Sequence, residues 1–383
     1  MEKVAMLKAL SWRSVFFSFF LLFSFSFPFN FNGFKLTLFQ VILQQRIASI
    51  SKPVVQSAIN SLFHENLLPY KALNVADLGC SAGPNTFTLM ETIIESVKSK
   101  CGELNCQLPE FQFYLNDLPV NDFNTLFKGS SSFLERYEDV SCFVMGAPGS
   151  FHGRLFPTDT LHLLHSSYSV HWLSKAPRLV DKDGLPLNKG KIYISKTSPP
   201  SVKEAYLAQF QQDFGLFLRS RSQEMIPDGR VVLIVNGRQS SDATSKESNF
   251  NWELLAEAIS HMVSLGLIAE EKLDSFNIPY YMASPEEVKD VVDREGSFAI
   301  EQLDTFYIEN GDRAIWDNEE KIAQSVRSFT ESMMLHQFGI EILDKLYANF
   351  THILIRDLAR QTEPNKITSI ILVLRRNVRL PSP

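Results

Sequence analysis

The sequence predicts an α/β fold: a central sheet covered by helices, with an α-helical cap inserted around residues 240–295. Three observations predict it. A short apolar run, Asn74-Val75-Ala76-Asp77-Leu78, passes through Gly79 and Gly83 into the helically periodic Phe87–Val97, which reads as strand, tight turn and helix N-terminus. A second run, Phe111-Gln112-Phe113-Tyr114-Leu115, alternates like a buried strand and closes on another acidic end, Asn116-Asp117-Leu118-Pro119. Beyond these, strand-like and helix-like segments keep alternating, with no internal repeat.

Taken in order, Gln44–Pro69 reads as helix in two parts, broken near Lys52-Pro53, with Val54, Val55, Ala58, Ile59, Leu62 and Phe63 facing the core. The glycine turn and its helix follow, then a loop over Cys101–Pro109 and the strand that ends at Asp117. Ser141–Gly149 and Leu161–Leu173 are apolar enough for buried strands, and Asp181-Lys182-Asp183-Gly184 is a turn. Val202–Met225 is an amphipathic helix with Ala205, Phe210, Phe214, Phe217 and Leu218 inside. Arg230–Val235 is a strand, and Trp252–Leu273 is a helix with Trp252, Leu255, Ile259 and Met262 on one face. Ser284-Pro285-Glu286-Glu287 forms a capping box with proline at the first helical position. Phe298–Ile308 and Ile367–Leu374 make late strands, with mostly helix over Lys321–Ala359 between them.

A formal net charge of −6 argues against a nucleic-acid footprint. The four cysteines, Cys80, Cys101, Cys106 and Cys142, form neither C-x-x-C nor a dense framework, which suits reduced thiols in a cytoplasmic protein. Residues 1–43 are atypical. Ser14–Phe34 carries no charge and ten phenylalanines, behind Lys3, Lys8 and Arg13. Three readings fit: a membrane anchor, a signal segment, or a translated intron end rich in pyrimidine codons. Residues 44–383 form the main domain in each case.

The turn after Asp77 lacks G-x-G-x-x-G, and Asp117 lies further along than in the dinucleotide pattern. With no third glycine and no nearby lysine, the site suits a nucleoside without a pyrophosphate, its ribose hydroxyls donating to Asp117. S-adenosylmethionine meets that description.

Six words in order resemble the plant SABATH family of S-adenosylmethionine-dependent carboxyl methyltransferases, which includes the xanthine N-methyltransferases. They are Ala76–Thr86, Leu115–Pro119, Pro148–Pro157, Ser166–Ser174, Asn188–Tyr193 and Leu273–Pro279, and the likeness runs from about Gln44 to the C-terminus. It implies a Rossmann-like methyltransferase sheet with helices on both faces and a homodimer. It implies that Cys80, Asn85, Asp117, Leu118, Ser150 and Phe151 hold S-adenosylmethionine, and that Gln44, Tyr168, His171 and Trp172 hold the acceptor. Asn188, Asp274, Phe276 through its carbonyl, and Asn277 match positions where some members bind Mg2+, and a helix-end turn is the alternative there. Trp252, Tyr280, Tyr281 and Met282 fit pocket wall or core equally.

The function so implied is methyl-ester formation on a small carboxylic acid. Such an acid, with an ordinary pKa near 4, is already ionised at neutral pH, so the protein has only to position it, which can supply roughly 7–11 kcal/mol. Methionine at the His171 position accompanies salicylate-type pockets in the family, so His171 points away from salicylate. The alternative functions are N-methylation of a purine-like heterocycle, and a catalytically silent member. The latter arises because the family's N-terminal Ser-Tyr-Ala-x-Asn-Ser word is replaced here by Phe31–Leu43, which holds no tyrosine and no matching serine.

Overall fold

The computed structural model describes residues 33–64, 71–309, 319–360 and 366–378, the opening of the first helix by its backbone alone. The segment 1–32, on which the anchor, signal and intron readings rest, lies outside the described residues, as does the Gln44 side chain. No helix among the described residues is long and apolar enough to cross a membrane.

The strands are β1 (Ala72–Leu78), β2 (Glu110–Asp117), β3 (Cys142–Pro148), β4 (Leu161–Ser167), β5 (Met225–Asn236), β6 (Phe298–Glu309) and β7 (Lys366–Arg376). They form one seven-stranded sheet in the order β3-β2-β1-β4-β5-β7-β6. All pairings from β3 to β5 are parallel, and β7 enters antiparallel between β5 and β6. The helices are α1 (Gly33–His64), α2 (Asn85–Leu104), α3 (Phe123–Glu135), α4 (Pro200–Glu224), α5 (Lys246–Ser264), α6 (Glu270–Asp274), α7 (Pro285–Glu295), α8 (Glu319–Phe338) and α9 (Leu343–Leu358).

Alternation along the strands divides the core in two. On β5, Val231 and Leu233 join one cluster with the inner faces of α4, α5, α7, α8 and α9, while Val232 and Ile234 join the other with α1, α2 and α3. Burial on both faces explains why the strands read as near-continuous apolar runs. Each fully buried Leu, Ile or Phe contributes about 1.5–3 kcal/mol, enough across α1 to override its proline. The sequence predicts a break at Pro53, yet α1 runs through it. A proline inside a helix costs about 3 kcal/mol, and Val55, Ala58, Ile59 and Leu62, all essentially buried, offset that.

Three other boundaries differ from expectation. The Cys101–Pro109 segment begins as helix, because α2 continues to Leu104 before Asn105 (φ 50°) caps it in the left-handed region. The helix expected over Trp252–Leu273 stops at Ser264, where Gly266 (φ 68°) turns the chain, and resumes as α6. The strand expected over Leu161–Leu173 ends at Ser167, because Tyr168 sits at φ 55°.

Candidate functional site

Sheet topology places the site. The chain winds outward from β1 through β2 to β3, then returns to lay β4 on the other side of β1, so connections leave the ends of β1 and β4 in opposite directions. Such a reversal opens a crevice beyond the carboxyl ends of the strands. A cavity of about 600 Å³ lies there, within the usual range for small-molecule sites. The β1 loop and the segment after β4 line one part of it, and α5, α8 and the Tyr280–Met282 stretch close it from above.

The β1 loop is built from β2. Gly79 (φ 75°) and Ser81 (φ 59°) both take the left-handed region, the second at a cost of order 1 kcal/mol. Gly79 and Cys80 donate their N–H groups to Asn116 O at 2.9 Å each, and Ser81 N–H donates to Asp117 Oδ2 at 2.8 Å. Leu118 N–H donates to Asp117 Oδ1 at 2.7 Å. Burial pushes the Asp117 carboxyl up to about 7, with Asp77 adding to the rise and the two N–H donors opposing it. Asp77 accepts from Thr86 Oγ1 at 2.7 Å and meets His165 Nδ1 at 2.8 Å. Burial, then Asp117 and Asp77, hold the Cys80 thiol well above its usual range, so it stays neutral and donates to Ser81 O. Three consecutive loop N–H groups are thus used by protein oxygens, and two carboxylates stand beside them. That donor set fits a cationic nucleoside with ribose hydroxyls better than a phosphate.

Among the residues expected to hold the cofactor, Cys80 and Asn85 line the cavity. Asp117 and Leu118 lie directly behind the loop at the end of β2, and Ser150 and Phe151 follow the end of the neighbouring β3, where Gly149 N–H donates to Asp117 O at 2.9 Å. Ser150 is exposed, while Phe151 is buried edge-on against Phe217 with centroids 6.2 Å apart. This stretch is held from behind by a buried ion pair on α4. Arg221 donates to Phe151 O at 3.1 Å and Gly153 O at 2.7 Å, and its Nη2 donates to Glu224 Oε1 at 2.9 Å. Glu224 Oε1 in turn accepts the N–H groups of Leu155 and Phe156.

The candidate acceptor side begins where Tyr168 breaks β4. Its hydroxyl meets Ser369 Oγ at 2.5 Å. His171 Nδ1 accepts the backbone N–H of Asn236 at 3.1 Å, which leaves the imidazole proton on Nε2. Burial pushes the His171 pKa down to about 3, so the ring is neutral. Around it stand Tyr280 at 5.1 Å, Trp172 at 5.6 Å and Tyr168 at 6.1 Å between centroids. Trp172 packs on Tyr280 at 4.8 Å, Trp252 on Tyr280 at 5.2 Å, and Phe329 of α8 joins Trp252 at 5.9 Å. Tyr168, His171 and Trp172 therefore sit together, as the sequence predicts.

Trp252, Tyr280 and Met282 are cavity wall, whereas Tyr281 turns away to donate to Glu287 at 3.0 Å. Sequence reasoning missed Asn236 and Phe329. The first reads as a strand-end turn residue and the second as helix core, so neither carries a local signal.

The expected magnesium residues also meet, but through protein hydrogen bonds. Asn188 donates to Tyr193 O at 3.0 Å and Asn277 Oδ1 at 3.2 Å, and its own Oδ1 accepts from Ser198 at 2.7 Å. Asp274 Oδ1 accepts from Gly190 N–H at 2.8 Å. With one carboxylate and the amide oxygens already engaged, this arrangement does not fit a magnesium cage.

The chain is similar to known proteins over most of its length. A family model described as SAM dependent carboxyl methyltransferase matches residues 40–377. A 3,7-dimethylxanthine N-methyltransferase of Camellia sinensis var. assamica is 56% identical over 336 residues, covering 86% of this chain and 90% of the relative. A 7-methylxanthine methyltransferase of Camellia ptilophylla is 56% identical over 338 residues, covering 86% and 92%. The solved structure of a loganic acid methyltransferase with SAH superposes with a TM-score of 0.79 at 34% identity, covering 88% of this chain and 95% of that one. The chain belongs to the SABATH family of S-adenosylmethionine-dependent carboxyl methyltransferases and is itself an S-adenosylmethionine-dependent methyltransferase.

Proposed function

We propose that this chain methylates a ring nitrogen of a xanthine-type heterocycle, the alternative rather than the main reading of the sequence. The observation that carries the reading is the acceptor slot: Trp172, Tyr280, Trp252 and Phe329 form flat apolar walls around the uncharged donor His171. Aromatic walls reward a planar ring, at about 0.5–1.5 kcal/mol per well-placed pair beyond area burial. The relatives at 56% identity are named for methylxanthines, which supports the same acceptor.

S-adenosylmethionine supplies an electrophilic methyl on a sulfonium. The chain's residues position what receives it. Asp117 takes ribose hydroxyls, the β1 loop backs the adenosyl group, and the aromatic walls hold the heterocycle edge-on to the methyl. As the N–CH3 bond forms and the S–CH3 bond breaks, the acceptor N–H must lose its proton. His171, with its pKa near 3, is a poor base at neutral pH, and burial raises Tyr168 and Tyr280 out of reach as anions. None of these three takes the proton, and in this reading it leaves to solvent as the acceptor ionises before attack.

A carboxylic acid is the second reading, favoured by the family description and by neutral donors able to grip a carboxylate. Recombinant protein, labelled donor, and a panel of mono- and dimethylxanthines beside benzoic, jasmonic and loganic acids separate the two. N-methylxanthine products are expected, with kcat/KM rising with pH as the acceptor ionises. Methyl esters alone, with a flat profile above pH 6, would sink the proposal.

A further inference from the structure

One buried titratable pair takes no part in the transfer as proposed. Asp77 stands near the end of β1 and His165 beside it on β4, paired in register where both strands reach the cavity. His165 Nδ1 meets Asp77 Oδ1 at 2.8 Å, and Thr86 Oγ1, from the first turn of α2, donates to Asp77 Oδ2 at 2.7 Å. A carboxylate only accepts, so the ring proton faces it from Nδ1, and the lone pair of a neutral imidazole then falls on Nε2. That Nε2 makes no hydrogen bond among the described residues and is not sealed from solvent. The side chain keeps 9% of its surface open, and the residue lines the cavity. The pair therefore holds out one oriented acceptor with a carboxylate directly behind it.

Position and charge decide what meets that acceptor. Asp77 leads into the loop that backs the adenosyl group, and His165 leads into Tyr168, where the candidate acceptor side begins. The cofactor's sulfur has to lie between those regions, since its methyl passes from one to the other, and its amino-acid tail hangs from the same sulfur. Gly79, Cys80 and Ser81 already donate their N–H groups to protein oxygens, so that loop offers the tail's carboxylate no donors. An ammonium, by contrast, suits a lone pair backed by a carboxylate. We infer that His165, oriented by Asp77, accepts a hydrogen bond from the α-ammonium of S-adenosylmethionine. Held there, the tail fixes the direction in which the sulfonium presents its methyl. The assignment concerns the methyl donor alone and holds for either class of acceptor.

Calorimetric titration without any acceptor tests this, using two ligands that differ in that one group. They are S-adenosylhomocysteine and its deaminated analogue, in which CH2 replaces CH(NH3+). His165→Phe, planar but without the lone pair, should weaken S-adenosylhomocysteine by about 10-fold or more and leave the deaminated ligand within about 2-fold of wild type. His165→Gln, which can donate to Asp77 and turn its carbonyl oxygen to the cavity, should keep the wild-type ratio of the two affinities. Binding of the deaminated ligand reports on folding. If the phenylalanine variant does not bind it, the glutamine variant decides: a retained ratio supports the assignment, and a lost one overturns it. A folded phenylalanine variant that weakens both ligands equally would overturn it, because the residue would then act through the adenosyl group they share. Unchanged affinity for both ligands would overturn it as well, and a fall in kcat beside that result would assign the pair to methyl transfer instead.

Discussion

Asp117 should make the unliganded protein less stable as pH rises. The residue is 2% exposed, and burial pushes its carboxyl up to about 7, against 3.8 for the unperturbed group. The folded pKa lies above the unfolded one, so the contribution is fully present below pH 3.8 and is lost as pH climbs to 7. Over that window the folded state binds one more proton than the unfolded state, and stability falls by about 1.4 kcal/mol per pH unit. Between about pH 4.5 and 7.5 the loss is about 3 kcal/mol. Urea unfolding of wild type and Asp117→Ser at several pH values isolates it, because titrations away from this site cancel in the difference. The wild-type minus variant difference should fall by about 3 kcal/mol across the range. Ribose hydroxyls that donate to Asp117 favour its ionised form, so saturating S-adenosylhomocysteine should flatten the wild-type slope and bind more tightly at about pH 7.5 than at about pH 5. A difference that stays flat within about 1 kcal/mol would refute the reasoning, because the carboxylate would then be solvated or matched by donors in the unliganded protein.

Three further outcomes are expected. Arg221→Met leaves Glu224 buried without its cation and removes the donors to Phe151 O and Gly153 O. A loss of about 3–5 kcal/mol in stability is expected by chemical unfolding, partly restored by adding Glu224→Gln. Trp252→Ala opens the slot where Tyr280 and Phe329 meet it; acceptor KM should rise about tenfold or more while calorimetric affinity for S-adenosylhomocysteine is unchanged. Treatment with EDTA should leave activity and melting temperature unaltered, because the Asn188–Asn277 and Asp274–Gly190 contacts are made within the protein.

What the sequence revealed was local. Asp77 and Asp117 end their strands within a few residues of the patterns that identify those strands, so the cofactor loop could be placed without tertiary information. The capping box at Ser284 is legible for the same reason, since its two hydrogen bonds span three residues. The Arg221–Glu224 pair was not legible, although it organises Phe151–Phe156. On an amphipathic helix two charged residues read as the solvent face, and only the loop packed against them makes them fully buried. Tyr168 is a candidate site residue inside a strand predicted to run too far, because a left-handed tyrosine has no signature of its own.

The choice between acid and heterocycle was illegible for a deeper reason. The family words encode the cofactor loop and a neutral donor, and a neutral donor holds a carboxylate or a ring carbonyl equally well. The aromatic walls that would tell a flat ring from a carboxylate come from four separate stretches: Trp172 after β4, Trp252 on α5, Tyr280 after α6 and Phe329 on α8. Tertiary packing alone brings those rings together, so no short word carries the choice. Donor binding and acceptor choice should then move independently, which the Trp252→Ala comparison of acceptor KM with S-adenosylhomocysteine affinity tests.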